Sequence, residues 1–298
     1  MSIVVGVSPA HEAHEGVALA TLLARAGGTD MVVVAVVPTP WRGRALQVDR
    51  DYLNYLHELA EGTLATIRES LPDDVPCQTV VRTSPSISEG LLAAAKEFDA
   101  PLLVLGSSST GSLGFVALGS VTERLMHSSS VPIAVAPHGY TAPDNRRVPR
   151  VSIGFIGGAD EAAMVSFAGS VASSVGASVR LVSFAVHSAP PVTSSLGEGT
   201  ENDVVDTWAA ELREIATDLS STLAGLPHPP EQLPPAFGRG STWHEALADV
   251  DWDWGDVLVV GSSRTMGAIG VFLGGTASKI TRHSPVPVIV VPRNSHGR

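Results

Sequence analysis

Cysteine is almost absent from this chain. Cys77 stands alone among 298 residues, which rules out an internal disulfide and suits a reducing compartment. Aromatic residues make up only 5%, so alanine, valine and leucine must supply most of any core. Charged residues are sparse at 16%, and basic ones are the scarcer kind: 19 Lys and Arg face 30 Asp and Glu, for a net charge of −11. That leaves no basic face to track a phosphate backbone, and nucleic acid is not expected as a partner. No apolar run approaches the ~18 residues of a membrane span. The opening MSIVVGVSPAHEAHE has no charged segment before an apolar stretch and does not read as a signal peptide. The expectation is a soluble, cytoplasmic protein without a membrane partner.

What the chain does have is a repeated stretch. Val104 to Pro137 runs from an apolar segment through a loop with glycines at 106, 111, 114 and 119 to a helix-like segment opened by Ser120. A second apolar run, Val131 to Ala136, closes it. A loop of this kind sets backbone N–H groups and a helix N-terminus where a phosphate can sit. Val259 to Pro292 repeats the pattern. Gly106 and Gly261, Gly119 and Gly274, Pro132 and Pro287, and Pro137 and Pro292 all stand 155 residues apart. A period of that length means two copies of a domain rather than a solenoid.

Apolar runs at Ile3–Val7, Met31–Val37, Gln78–Arg82, Pro101–Leu105 and Val131–Ala136 alternate with helical spacing at Ala13–Arg25, Asp51–Ser70 and Ser86–Phe98. The runs are continuous, as in parallel strands buried on both faces. The second half repeats the order, with strands at Val151–Ile156, Ser178–Val186, a weak Ala236–Arg239 and Val257–Val260. Gly225–Pro235 holds five prolines and is expected to lie outside any helix. The predicted fold class is α/β, as two tandem doubly wound domains at 1–138 and 151–298 with a linker at 139–150. Each terminal strand, Val131–Ala136 and Val286–Val291, would leave an open edge.

The glycine stretch resembles the nucleotide motif of universal stress proteins, G-x2-G-x9-G-[ST]. The opening VVGV, the passage PSISEGLLAAAKEFDAPLLVLGSS and the closing VPIAVAP resemble that family as well, across nearly the whole chain, twice. The resemblance implies a five-stranded parallel sheet of order 3-2-1-4-5 in each half, with helices on both faces. It also implies that the terminal strands cover one another about a pseudo-two-fold axis, within the chain or between two chains of a homodimer. Some members of the family bind ATP and others do not. Carried onto this sequence, the site comprises Ser8, Val36, Gly106, Ser109, Gly119, Ser120 and Val121. A weaker second site comprises Gly261, Arg264, Gly274, Gly275 and Thr276. Ser109 and Arg264 replace the motif's second glycine, and Gly275 replaces its final Ser or Thr. Ser8 and Ile156 stand where ATP-binding members carry an Asp. Backbone near Val36 and Phe184 would meet the adenine.

These residues have alternative readings. Gly106 and Gly119 let backbone approach a phosphate, or relieve a tight turn and a close helix–strand contact. Ser120 and Glu123 form the S-x-x-E pattern of a capping box, which would occupy the serine hydroxyl. Arg264 is expected to fill the groove that a glycine leaves open, rather than to pair with phosphate. Arg42 and Arg44 read as a solvated loop, His11 and His14 as surface residues, and Trp252 and Trp254 as half-buried packing. Gly106 to Gly111 has the G-x4-G spacing of a Walker A loop, but Ser112 and Leu113 stand where Lys and Ser or Thr belong. No G-x-G-x-x-G follows a first strand, and no H-E-x-x-H is present. The reading is a non-enzymatic stress-response protein that binds ATP or a related adenine nucleotide in its first half, with no metal. A nucleotide-free scaffold and a slow ATPase remain the alternatives.

Overall fold

The computed structural model of the chain describes residues 2–9, 14–39, 47–108, 112–142, 147–157, 161–186, 198–262 and 275–292. The first half runs β1 (Ser2–Val7), α1 (His14–Gly27), β2 (Asp30–Pro38), α2 (Gln47–Ser70), β3 (Cys77–Ser84), α3 (Ile87–Glu97), β4 (Leu103–Leu105), α4 (Ser120–Ser128) and β5 (Ile133–Val135). The second runs β6 (Arg150–Gly154), α5 (Glu161–Ser174), β7 (Ser178–Val186), α6 (Glu198–Ala224), β8 (Gln232–Gly240), α7 (Trp243–Ala248), β9 (Val257–Gly261), α8 (Gly275–His283) and β10 (Val288–Val291). Seven consecutive residues of β2, Met31 to Val37, are buried, as a central strand covered on both faces requires. Corresponding helices are capped alike: the Ser86 hydroxyl accepts from Glu89 N–H at the start of α3, and Thr242 from Glu245 N–H at the start of α7, each at 3.2 Å. No helix among the described residues is long and apolar enough to cross a membrane.

The ten strands form one continuous sheet of order β3-β2-β1-β4-β5-β10-β9-β6-β7-β8. Each half is parallel within itself and has the order 3-2-1-4-5. The halves join through an antiparallel pair that sets Ile133, Ala134 and Val135 against Val290, Ile289 and Val288. The terminal strands therefore cover one another within the chain. The two halves are not separate sheets, and their cores are only partly separate. On one face, α3, α4, α7 and α8 cover a single apolar layer that contains Leu125 and Ile133 of the first half and Leu258 and Ile280 of the second. On the other face, α1 with α2 and α5 with α6 cover two clusters.

One expectation needs correction. Strand β8 begins at Gln232, so Pro234 and Pro235 lie inside it rather than before it. The pairing with β7 slips there, from Arg180 opposite Leu233 to Val182 opposite Ala236. Proline lacks the N–H that a ladder needs, and an edge-strand bulge is where the sheet tolerates it. The segment 139–150, expected as the linker, packs at its described ends. Tyr140 is 6% exposed and stacks on Trp254 with ring centroids 6.1 Å apart, while Arg150 already belongs to β6.

At the foot of the second half, Arg150 chelates the fully buried Asp256, whose carboxylate accepts from its Nε at 3.0 and 3.1 Å and from its Nη2. Arg180 lies 3.9 Å from the same carboxylate, donates to Ser152 and to the Asp251 carbonyl, and lies over the Trp252 ring. Burial, then the neighbouring Arg150 charge, pull the Arg180 guanidinium below its usual pKa against the attraction of Asp256 and Asp251. Removing the carboxylate would strand two cations. Asp256→Ala is expected to cost about 3–5 kcal/mol in urea unfolding, far more than the exposed Glu123–Arg282 pair across the seam. A loss below about 1 kcal/mol would contradict the assignment.

The seam also holds a cleft of about 540 Å³, lined by Phe115 of the first half and by His244, Asp249, Asp251, Trp252 and His283 of the second. The Phe115 and His244 rings lie 5.3 Å apart. Burial holds His283 below its ordinary pKa, helped by the neighbouring His244 and Arg282; Asp249 and Asp251 line the same cleft. A histidine depressed on folding leaves the unfolded chain with more bound protons just below pH ~6.5. Its contribution is complete above that pH and is lost as pH falls towards the folded value. Urea unfolding at pH 7.0 and 5.5 is expected to show this loss, and His283→Gln is expected to reduce it. An unchanged pH slope in the variant would refute the reading.

Candidate functional site

Strand order reverses between β1 and β4, so the chain leaves their carboxyl ends in opposite directions and a crevice opens there. Ser8 follows β1 and is exposed. The β1–β2 ladder ends with Val7 opposite Ala35, so Val36 is the first β2 residue past β1. Its side chain is 2% exposed, which leaves backbone as what it can offer. Gly106 directly follows β4. The loop after it is tied down by its serines: Ser107 Oγ donates to Ala136 O at 2.7 Å and accepts from Ala117 N at 2.9 Å, and Ser108 N donates to Ala117 O at 2.9 Å. Gly114, at φ +83°, donates to the His138 carbonyl, and His138 N returns a bond to Phe115 O. Ser109 lies outside the described residues.

Helix α4 starts one residue earlier than the capping-box reading requires. The N-cap is Gly119, at φ −80° and ψ 168°, and it supplies no side-chain acceptor. Ser120 is the first helical residue and is exposed, so it does not cap, and the expected box with Glu123 does not form. Glu123 N bonds the Gly119 carbonyl instead, and the Glu123 carboxylate pairs with Arg282. The N-cap residue itself thus offers the first N–H groups of α4 no side-chain acceptor. Val121 turns into the layer shared by both halves.

The glycines can be weighed by what a Cβ would meet. At Gly119 it would lie 3.5 Å from Ser108 Cβ, and at Gly106 3.5 Å from Gly16 N, both ordinary contacts. Neither residue has a left-handed φ. The close helix–strand contact expected at Gly106 belongs to its neighbour: a Cβ on Gly16 would lie 2.8 Å from Gly106 N and 3.0 Å from the Leu105 carbonyl carbon. Beside it, Glu15 Oε1 accepts from Gly139 N at 3.0 Å. Neither Glu15 nor Gly16 falls in a motif, and spacing alone gave no signal for them.

The second half is arranged differently. Gly261 ends β9, and Met164 occupies the place of Gly16, with its Sδ 3.0 Å from where a Gly261 Cβ would stand. Glu161, 8% exposed at the start of α5, accepts from Ile156 N at 2.7 Å and Gly157 N at 3.1 Å. An internal carboxylate therefore holds the backbone donors at the end of β6. The Ile156 side chain is 62% exposed. Gly275 opens α8, with Thr276 next. Arg264 and Gly274 lie outside the described residues, as do Arg42, Arg44 and His11. Trp254 is 57% exposed rather than half-buried, whereas Trp252 is packed and donates its Nε1–H to the Leu247 carbonyl at 2.7 Å. Among the described residues, no three of His, Cys, Asp and Glu gather in a way that could hold a metal ion.

Solved structures resemble the whole chain. A universal stress protein from Archaeoglobus fulgidus aligns over 98% of both chains with a TM-score of 0.60 at 17% identity. A putative universal stress protein from Pseudomonas aeruginosa aligns over 98% of this chain and 92% of its own, with a TM-score of 0.55 at 15% identity. At such identities the likeness concerns the fold. In sequence, a universal stress protein of Mycobacterium tuberculosis is 33% identical over 299 residues, covering 98% of this chain and 100% of that protein. The model of the universal stress protein family matches twice, at residues 1–137 and 150–292. With both halves matched and a full-length relative at that identity, the chain belongs to the universal stress protein family, as a tandem member.

Proposed function

We propose that this is a non-catalytic, cytoplasmic stress-response protein whose first half binds ATP or a related adenine nucleotide. The observation that carries the reading is the pair Gly106 and Gly119. Local packing and φ demand glycine at neither, yet one follows β4 beside the point where strand order reverses and the other is the N-cap of α4, with no side chain to occupy the helix start. A bare backbone there serves an approaching phosphate. In this reading Ser8, Ser120 and the backbone of Val36 supply the remaining polar groups, Val121 contributes backbone, and Ser109, outside the described residues, is assigned to the site from the sequence alone. These groups hold an anion and a nucleoside; a serine or an amide is no general base for water. The carboxylate of Glu15, beside Gly106, accepts from Gly139 N–H.

The second half is the weaker or empty site in this reading. Met164 stands where Gly16 lets the loop backbone approach, and Glu161 already engages the backbone donors at the end of β6. That half then acts as a folded counterpart and as surface for partner contacts.

Extraction of the freshly purified protein, followed by nucleotide analysis, should recover an adenine nucleotide. Calorimetric titration should show Gly119→Val binding at least about tenfold more weakly, because a side chain then covers the helix start. Its stability should fall by no more than about 1–2 kcal/mol, the cost of a poor N-cap residue, since a Cβ meets only ordinary contacts there. Undiminished binding by Gly119→Val, or loss in Gly274→Val alone, would place the site elsewhere.

A further inference from the structure

The geometry points to Glu15 as the residue that limits how much negative charge the first-half crevice accepts, so that an adenine nucleoside or monophosphate is favoured over the triphosphate. The inference rests on the reading of that crevice as an adenine-nucleotide site, and it names the ligand class within it. Glu15 lies in the first turn of α1. Its Oε1 accepts from Gly139 N at 3.0 Å, and its Oε2 lies 3.8 Å from the point where a Cβ on Gly106 would stand. The carboxylate is therefore fixed beside the first residue of the glycine loop.

It has little freedom to retreat. Gly16, the next residue, is pressed against the backbone of Leu105 and Gly106, which pins the turn that carries Glu15. The N-terminal end of α1 and the Gly139 N–H both favour a negative group where it sits. The other acid near the loop, Glu123 in the first turn of α4, is matched by Arg282 from the second half. Among the described residues no Lys or Arg is paired with Glu15. Among the described residues, then, a carboxylate without a cationic side-chain partner stands at the loop's start, while the helix N-terminus at its end attracts anions.

The opposed fields act on ligands differently. A nucleoside carries no charge and does not feel the carboxylate strongly. Each added phosphate charge does, and near a protein surface the repulsion between two charges is stronger than in bulk water. The corresponding position in the second half carries no acid: Met164 takes the place of Gly16 there, and the residue before it is the exposed Ala163.

The test is calorimetric titration of adenosine, AMP and ATP into the full chain in metal-free buffer, for the wild type and for Glu15→Gln, which keeps an acceptor for Gly139 N–H. Glu15→Gln should tighten ATP about tenfold, AMP by less, and adenosine less than twofold. In the wild type, raising the salt concentration should narrow the gap between ATP and adenosine, a readout that needs no variant. Equal shifts for all three ligands, or no tightening of ATP, would overturn the role of Glu15 while leaving the crevice an adenine site. If neither protein binds any of the three, the adenine reading and this inference fall together.

Discussion

The structure depends on how two open sheet edges are closed. A parallel five-stranded half ends at β5 or β10 with a row of N–H and C=O groups that must be paired or covered. Setting Ile133–Val135 antiparallel to Val288–Val290 satisfies both rows at once and fixes the direction of one half against the other. Much follows from that single ladder. Helices α3, α4, α7 and α8 come to share one apolar layer. Arg282 is brought to Glu123, and the glycine loop's Phe115 is brought against His244 of the opposite half. The first-half loop is thereby supported from across the seam as well as by its own serines.

Two halves with one topology nonetheless present different crevices. The difference lies in a few side chains at the start of the first helix of each half. Glycine at 16 admits the loop backbone, and methionine at 164 takes its place. Glu15 reaches out to Gly139, whereas Glu161 folds back onto its own loop. The sheet fixes where a crevice opens, and those positions decide what is left inside it.

Much of this was legible in the sequence, because strand burial and domain repetition are written as local patterns. The apolar run Met31–Val37 announces a central strand, and the constant spacing of Gly106, Gly119, Pro132 and Pro137 from their counterparts announces two copies. What was not legible depends on distant partners or on a one-residue shift. Pro234 and Pro235 lie in a strand because that strand is an outer one with a bulge, which no reading of the local prolines reveals. Ser120 fails to cap because Gly119 already holds the cap position. The roles of Glu15 and Gly16 require knowing that α1 crosses the end of β4. The pairing of Tyr140 with Trp254 joins residues more than a hundred positions apart.

The outer edges of the ten-stranded sheet are unequal. Strand β8 carries two adjacent prolines at its bulge, so two consecutive residues of that outer strand have no N–H to give. Strand β3, at the far end, contains no proline and among the described residues pairs only with β2. Fibre growth by strand addition needs a receptive rim at each end of every subunit. With two N–H groups missing from β8, that end of the sheet is a poor template for another strand, and growth through both ends is disfavoured.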